Sequence, residues 1–424
     1  MSALDPALLP LTAAIAGDGS LSVGGVDLCR LADEAGTPLF VYDEQHLRLR
    51  CQEAVNAFGD GVAYAGKAFL CRAMAALVHE EGMCIDVATG GELYVALAGG
   101  VPAPRLVLHG NNKSEGELTD ALKEGVGRIV VDSFDEIDRL EKVAAGLGVR
   151  PLVHVRVTPG VEAHTHEFVR TGQDDSKFGF GVASGQAEEA ATRLAGSPHV
   201  ELVGVHAHIG SQIFLLESFV AAIQVLASFF LPLDLPELVV GGGLGVPYVA
   251  GERAPTITEW AATVHEAAVA AGIGDDVRIT AEPGRSIAAA AAITLYRVGT
   301  IKELPGIRTY VSVDGGMSDN PRPVLYGSGY EAFLPRATRA ERPRLVTVVG
   351  KHCESGDVLV RDAHVPEDLC VGDVLATPVT GAYGHGMASN YNKVPRPAVL
   401  FVAGGRAREV VRRETYEDLI RLDR

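Results

Sequence analysis

Eight short apolar runs, each closed by a turn signal and followed by a stretch with helical spacing, constrain this chain more than any other feature. They begin at "VAYAGK", "CIDVATG", "RLVLHG", "RIVVDS", "LVHVRVTPG", "VGVHAHIGS", "LVVGGG" and "RITAEPG". Ala-rich segments such as "GELYVALAGG", "EIDRLEKVAAGLG" and "EWAATVHEAAVAAG" lie between them and carry the 3.6-residue period of amphipathic helices. Strands that alternate with helices pair in parallel, and eight such units close into a (β/α)8 barrel. The expected fold class is therefore α/β, with a barrel over residues 39–285.

The chain has 424 residues, more than a barrel alone needs. After about residue 290 the texture changes to "AAITLYRVGTIKEL", "TYVSVDGG", "RLVTVVG", "DVLATPVTG" and "RPAVLFVAGG", punctuated by Gly and Pro. This is an all-β pattern. Near the N-terminus "GSLSVGGVDL" reads as a further strand able to join it. A second, β-rich domain built from residues 1–38 and 286–424 is expected.

The formal charge of −17 argues against nucleic acid or an anionic membrane surface as partner, because both require a basic footprint. A small-molecule substrate fits better. No basic n-region opens the N-terminus and no apolar run is long enough to span a bilayer, so a cytoplasmic location is expected. Six cysteines are scattered without CxxC spacing and read as free thiols.

Barrel chemistry gathers where strands end. The first run ends in Lys67, the sixth in His206, His208 and Ser211, the seventh in "GGGLG" from Gly241, and the eighth in "EPGRS" from Glu282. Loops after the last two strands of a barrel commonly cradle phosphate with bare backbone N–H groups, here Gly243, Gly284 and the adjacent Arg285. A lysine among small residues in a barrel mouth can attack a carbonyl and form a Schiff base. Lysine, phosphate cradle and carboxylate together match the three contacts of pyridoxal phosphate: aldehyde carbon, phosphate and ring nitrogen. His206 and His208 lie two apart on a strand and share a face. They suit either a metal, as in hydrolases, or stacking of a flat imidazole on the pyridine ring. No metal is expected, since no further ligand set is evident beside them. His164 and His166 in "EAHTHEF" read as loop-ordering residues.

The blocks "YAGKAF", "DVATGGEL", "HGNNKS", "GVEAHTHEFVRTGQDDSKFG", "HAHIGSQI", "GGGLGVPY", "EPGRSI", "VDGGMSDNPRPVLYG", "CESGDVL" and "GAYGHGMASNYN" follow one another in an order that resembles the diaminopimelate decarboxylases, a family of fold-type III pyridoxal phosphate enzymes. The resemblance covers nearly the whole chain. It implies Lys67 as the Schiff-base lysine, His208 as the ring-stacking imidazole and Glu282 as the partner of the pyridine nitrogen. It implies Ser211, Gly243, Gly284 and Arg285 at the phosphate, with Arg285 also near substrate. Arg322, Tyr326, Glu354 and Tyr391 match substrate-binding positions, Tyr391 also touching the cofactor, and Cys353 corresponds to the proton donor. The implied activity is decarboxylation of meso-2,6-diaminopimelate to L-lysine by a homodimer with shared active sites. Ornithine, arginine and carboxynorspermidine decarboxylases of the same fold are the nearest rivals, but their substrates lack a distal D-amino acid centre. Lys351 and His352 before Cys353, and His385 and Gly386 in "GHGMAS", depart from the family's usual spelling.

Overall fold

The computed structural model describes residues 4–161 and 176–424, so His164 and His166 lie outside the described residues. The chain divides into two compact units, one comprising Arg50–Gly245 and Ala254–Ser286, the other Met1–Leu49, Val246–Arg253 and Ile287–Arg424.

The first unit is the barrel. All eight expected runs are strands: β1 (Ala63–Ala65), β2 (Cys84–Val87), β3 (Leu106–Leu108), β4 (Arg128–Val131), β5 (Leu152–Thr158), β6 (Glu201–Ala207), β7 (Glu237–Val239) and β8 (Arg278–Thr280). They pair in parallel in that order, and a short strand, Phe180–Gly181, adds to β5. Ala63 and Ala65 donate their N–H groups to Ala281 and Pro283, which joins β1 to the end of β8. The runs are mostly apolar because strands covered by helices bury both faces.

Local chemistry sets the helix ends. Before the helix Glu115–Glu124, the Ser114 hydroxyl accepts from the Glu117 N–H at 3.2 Å while the Glu117 carboxylate accepts from the Ser114 N–H at 3.0 Å. This reciprocal cap satisfies two donors that the first turn would otherwise orphan. At the start of the strands, Glu237 of β7 receives His154 of β5 at 2.6 Å and Arg128 of β4 at 2.6 Å, and also pairs with Arg278 of β8. Burial opposes ionisation of Glu237, but His154 and Arg128 hold its carboxyl well below the usual range.

The second unit is an eight-stranded sheet. Its path runs β12 (Val358–Val365), β11 (Arg344–Val349), β10 (Arg308–Val313), β9 (Ala292–Leu304), Leu39–Asp43, β14 (Ala398–Ala403) and β15 (Arg406–Val411), with β13 (Val374–Pro378) also paired to β9. Two differences from the sequence reading stand out. Leu39–Asp43, within the span expected for the barrel, lies between β9 and β14 instead, parallel to β14 and antiparallel to β9. Its five residues are all buried, a pattern that suits either sheet equally. The N-terminal segment forms its own three-stranded sheet of Ala14–Ile15, Leu21–Val23 and Val26–Asp27 rather than extending the larger one. Leu21, Val23 and Val26 pack with Val41, Leu295, Phe333 and Leu400 in one buried cluster. Among the described residues no helix is long and apolar enough to cross a membrane.

Candidate active site

The C-terminal ends of the barrel strands gather the chemistry. A single 3-10 turn, Gly66–Ala68, follows β1 and presents Lys67 on its exposed side. The Lys67 charge acts on both Asp86 of β2 and His208 beyond β6. Burial, Lys67 and Arg156 together drive the His208 imidazole well below its ordinary pKa, so it is neutral. Its Nδ1 accepts the Gly242 N–H at 3.1 Å, which fixes the ring orientation and leaves the proton on Nε2.

His206, two residues earlier, faces different partners. Its Nε2 donates to Glu282 Oε2 at 3.0 Å. His109, directly after β3, approaches Glu282 Oε1 at 3.3 Å and Asp86 Oδ1 at 3.5 Å. The two imidazoles meet edge-on with centroids 5.0 Å apart. Burial pulls His109 down, but Glu282 and Asp86 outweigh it and lift the group to about 9. His206 is driven down to about 4 by burial despite Glu282. Glu282 also pays for burial, yet His206 and His109 hold its carboxyl well below the usual range. The charged imidazole beside Glu282 is therefore His109, with His206 acting as a neutral donor. Asp86 is pushed up to about 7 by burial and by the charge of Glu282.

The residues expected at the phosphate lie on the loops after β6, β7 and β8. A Cβ added to Gly243 would stand 2.4 Å from the Gly210 carbonyl oxygen, and φ there is +116°, so only glycine brings the backbone this close. Arg285 donates from Nη2 to Ser211 Oγ at 2.8 Å, linking the loops after β8 and β6. Gly284 sits against Ala65 and Ala68 beside the Lys67 turn.

In the sheet unit, Arg322 opens the short helix Arg322–Tyr326 and is 5% exposed. Its guanidinium lies 4.0 Å from the centroid of the Tyr248 ring and donates to the Tyr330 hydroxyl at 2.6 Å. Tyr326 ends that helix and is half-buried. Cys353 and Glu354 occupy the exposed turn between β11 and β12. The Tyr391 hydroxyl donates to Glu354 Oε1.

Asp86, His109 and Arg156 were not among the expected site residues, nor were Tyr248 and Tyr330. The first three stand within strand ends 2, 3 and 5, so position alone marks them; the tyrosines become partners of Arg322 only through the fold. His109, His206 and Glu282 each offer a ligand atom, all within 4.8 Å of one another, as a metal site would require. The members of this trio also face one another as a hydrogen-bonded, charge-paired set.

The pyridoxal-dependent decarboxylase family, in its pyridoxal binding domain, matches residues 44–289. Diaminopimelate decarboxylase of Mycobacterium tuberculosis (strain ATCC 25618 / H37Rv) is 48% identical over 425 residues, covering 96% of this chain and 95% of that protein. The chain belongs to the diaminopimelate decarboxylase family. The Bacillus subtilis (strain 168) relative of the same name is 47% identical over 422 residues, covering 96% of this chain and 95% of its own. The crystal structure of the diaminopimelate decarboxylase of M. jannaschii in co-complex with L-lysine superposes with a TM-score of 0.91 at 33% identity, covering 98% of each chain. Pyridoxal phosphate is the cofactor of this decarboxylase, and the strand ends fit it: an amine, a neutral flat imidazole, an ionised buried carboxylate and a glycine cradle backed by arginine.

Proposed function

We propose that the chain decarboxylates meso-2,6-diaminopimelate at its D-centre and releases L-lysine and carbon dioxide. The observation that carries this reading is the full-length likeness to diaminopimelate decarboxylases, joined to a barrel mouth where Glu282 lies between His109 and His206 and His208 is fixed by the Gly242 N–H. When bound, the cofactor supplies an electron sink for the pair left by the departing carboxylate.

The side chains supply the rest. With the cofactor bound, Lys67 would be the amine that holds its aldehyde end. Glu282 keeps a proton on the ring nitrogen by its negative charge, and the His109 charge keeps Glu282 ionised. His208 offers its flat face to the ring. Ser211, Gly243, Gly284 and Arg285 receive the phosphate through N–H and guanidinium donors. Cys353 returns a proton to the carbon that lost carbon dioxide. Arg285 and Arg322 hold the distal carboxylate with Tyr326 and Tyr391, and Glu354 takes the distal ammonium. Cys353 and Glu354 are exposed, which supports a homodimer in which each completes the partner's barrel. A cytoplasmic location belongs to the same reading.

Carbon dioxide release from meso-diaminopimelate, L,L-diaminopimelate, ornithine, arginine and lysine tests it. The meso compound should exceed the others in kcat/KM by roughly a hundredfold or more, because unpaired distal donors reject substrates lacking that end. Equal turnover of ornithine or arginine overturns the substrate, and equal turnover of the L,L isomer overturns the distal site.

A further inference from the structure

His352 departs from the family's spelling and has no part in the chemistry above, yet it is 8% exposed beside an exposed cysteine. Its imidazole is pinned on both nitrogens. Nε2 lies 2.8 Å from Ser318 Oγ and Nδ1 lies 3.2 Å from Asn392 Oδ1. Asn392 Oδ1 also accepts the Cys353 N–H at 3.3 Å, which identifies it as the oxygen. In the neutral ring the proton therefore sits on Nδ1, and Nε2 accepts from the Ser318 hydroxyl. The His352 N–H donates to Asp357 Oδ2 at 2.9 Å, while Asp357 Oδ1 accepts from the Met317 N–H at 2.7 Å. The ring also packs on Tyr391, with centroids 5.5 Å apart and planes at 36°.

One side chain thus ties together three loops: Ser318 from the segment after β10, Cys353 and Glu354 from the turn after β11, and Tyr391 and Asn392 from the segment before β14. Asn392 is itself in the left-handed region, at φ 50° and ψ 24°, a conformation that needs support. We propose that His352 is a positioning residue for Cys353, setting the thiol's place through the shared Asn392 oxygen. This rests on the assignment of Cys353 as proton donor. A proton donor contributes about 10²–10⁴-fold, and a displacement of about 1 Å forfeits much of that. The packing of Tyr391 on the ring carries the same positional order to the residue that contacts Glu354.

The test uses the holoenzyme. His352→Phe keeps a flat buried ring against Tyr391 and removes both hydrogen bonds, whereas His352→Asn restores a donor toward Asn392. Expected for the Phe variant are an unchanged cofactor absorption spectrum, a kcat loss of about tenfold or more and a KM within about threefold of wild type. Its Cys353 should react with iodoacetamide at a rate altered by about threefold or more, and His352→Asn should recover most of both quantities. The double variant His352→Phe with Cys353→Ser should be no slower than Cys353→Ser alone, since one residue acts through the other. Multiplicative losses in the double variant, or wild-type kcat and alkylation in the Phe variant, overturn the proposal. Should the Phe variant not fold, His352→Gln, which reaches only Ser318, takes its place and must fall below His352→Asn. Wild-type kcat in Cys353→Ser alone would instead refute Cys353 as the donor, while the alkylation rates still decide whether His352 places it.

Discussion

Glu282 in the barrel and Glu354 in the sheet unit are both carboxylates with assigned partners, held in place by different means. Glu282 exposes 10% of its side chain and is fixed between two imidazoles that are themselves buried. Its charge is set by folding alone. Glu354 sits on an exposed turn with the Tyr391 hydroxyl as partner, where water screens it. A site that must tell one end of a symmetric diamino acid from the other cannot rely on a screened charge. The difference teaches that the barrel arrives preorganised, whereas the turn at Cys353 and Glu354 would gain its strength only if the proposed homodimer covers it.

The sharpest way to break that contrast is Lys67→Ala, which should lower kcat by about 10³-fold or more, since the group that holds the cofactor is lost. Borohydride should trap the cofactor on Lys67 in the wild type and on no residue of the variant. Mixing inactive Lys67→Ala chains with inactive Cys353→Ala chains should restore about a quarter of wild-type activity, because half of randomly paired twofold dimers carry one intact site. No recovery after verified exchange would mean that the turn needs no partner to cover it.

A smaller effect is expected at Arg322, where the sheet unit does bury its charge. The planar guanidinium stacks on Tyr248 and donates to Tyr330, and an ammonium reproduces neither contact. Removing one partner of a desolvated charge pair costs about 2–5 kcal/mol. Arg322→Lys should therefore cut kcat/KM well over tenfold with the cofactor spectrum intact; near wild-type kcat/KM would place Arg322 outside the distal site.

The smallest effect concerns stability. His109 titrates near 9 in the folded protein, above its ordinary 6.5, so its protonated form stabilises the fold. That contribution is complete below about pH 6.5 and is lost as pH rises through about 9. The melting temperature of wild type should exceed that of His109→Gln at mildly acidic pH, and the gap should shrink across this window. A gap independent of pH would show that the trio is held by packing and not by charge.

The barrel was legible because its strands are short, mostly apolar runs closed by turn signals and separated by helical stretches, a pattern that parallel sheets favour. Lys67, His208 and Glu282 were read from those ends, and Asp86 and His109 could have been by the same rule. Other parts were not. β15, "RAREVV", is mostly exposed and carries no apolar alternation, so nothing in its composition announces a strand. Leu39–Asp43 is apolar enough for either sheet, and its partners lie hundreds of residues away. Tyr248 and Tyr330 lie far apart in sequence, and only the fold sets them edge to face, with centroids 5.3 Å apart, beside Arg322. His352 looked like a stray spelling until three loops converged on it.

The place of Leu39–Asp43 in its sheet also imposes an order in time. Its neighbours are Ala292–Leu295 on one side and Ala398–Val402 on the other. During synthesis the eight barrel strands, ending at Thr280, all leave the ribosome before either neighbour has emerged. The strand must therefore wait, unpaired and wholly apolar but for its last residues, while the barrel forms from contiguous chain. A nascent chain halted before residue 398 still lacks one side of this ladder, so the sheet is completed only once Ala398–Val411 has been made.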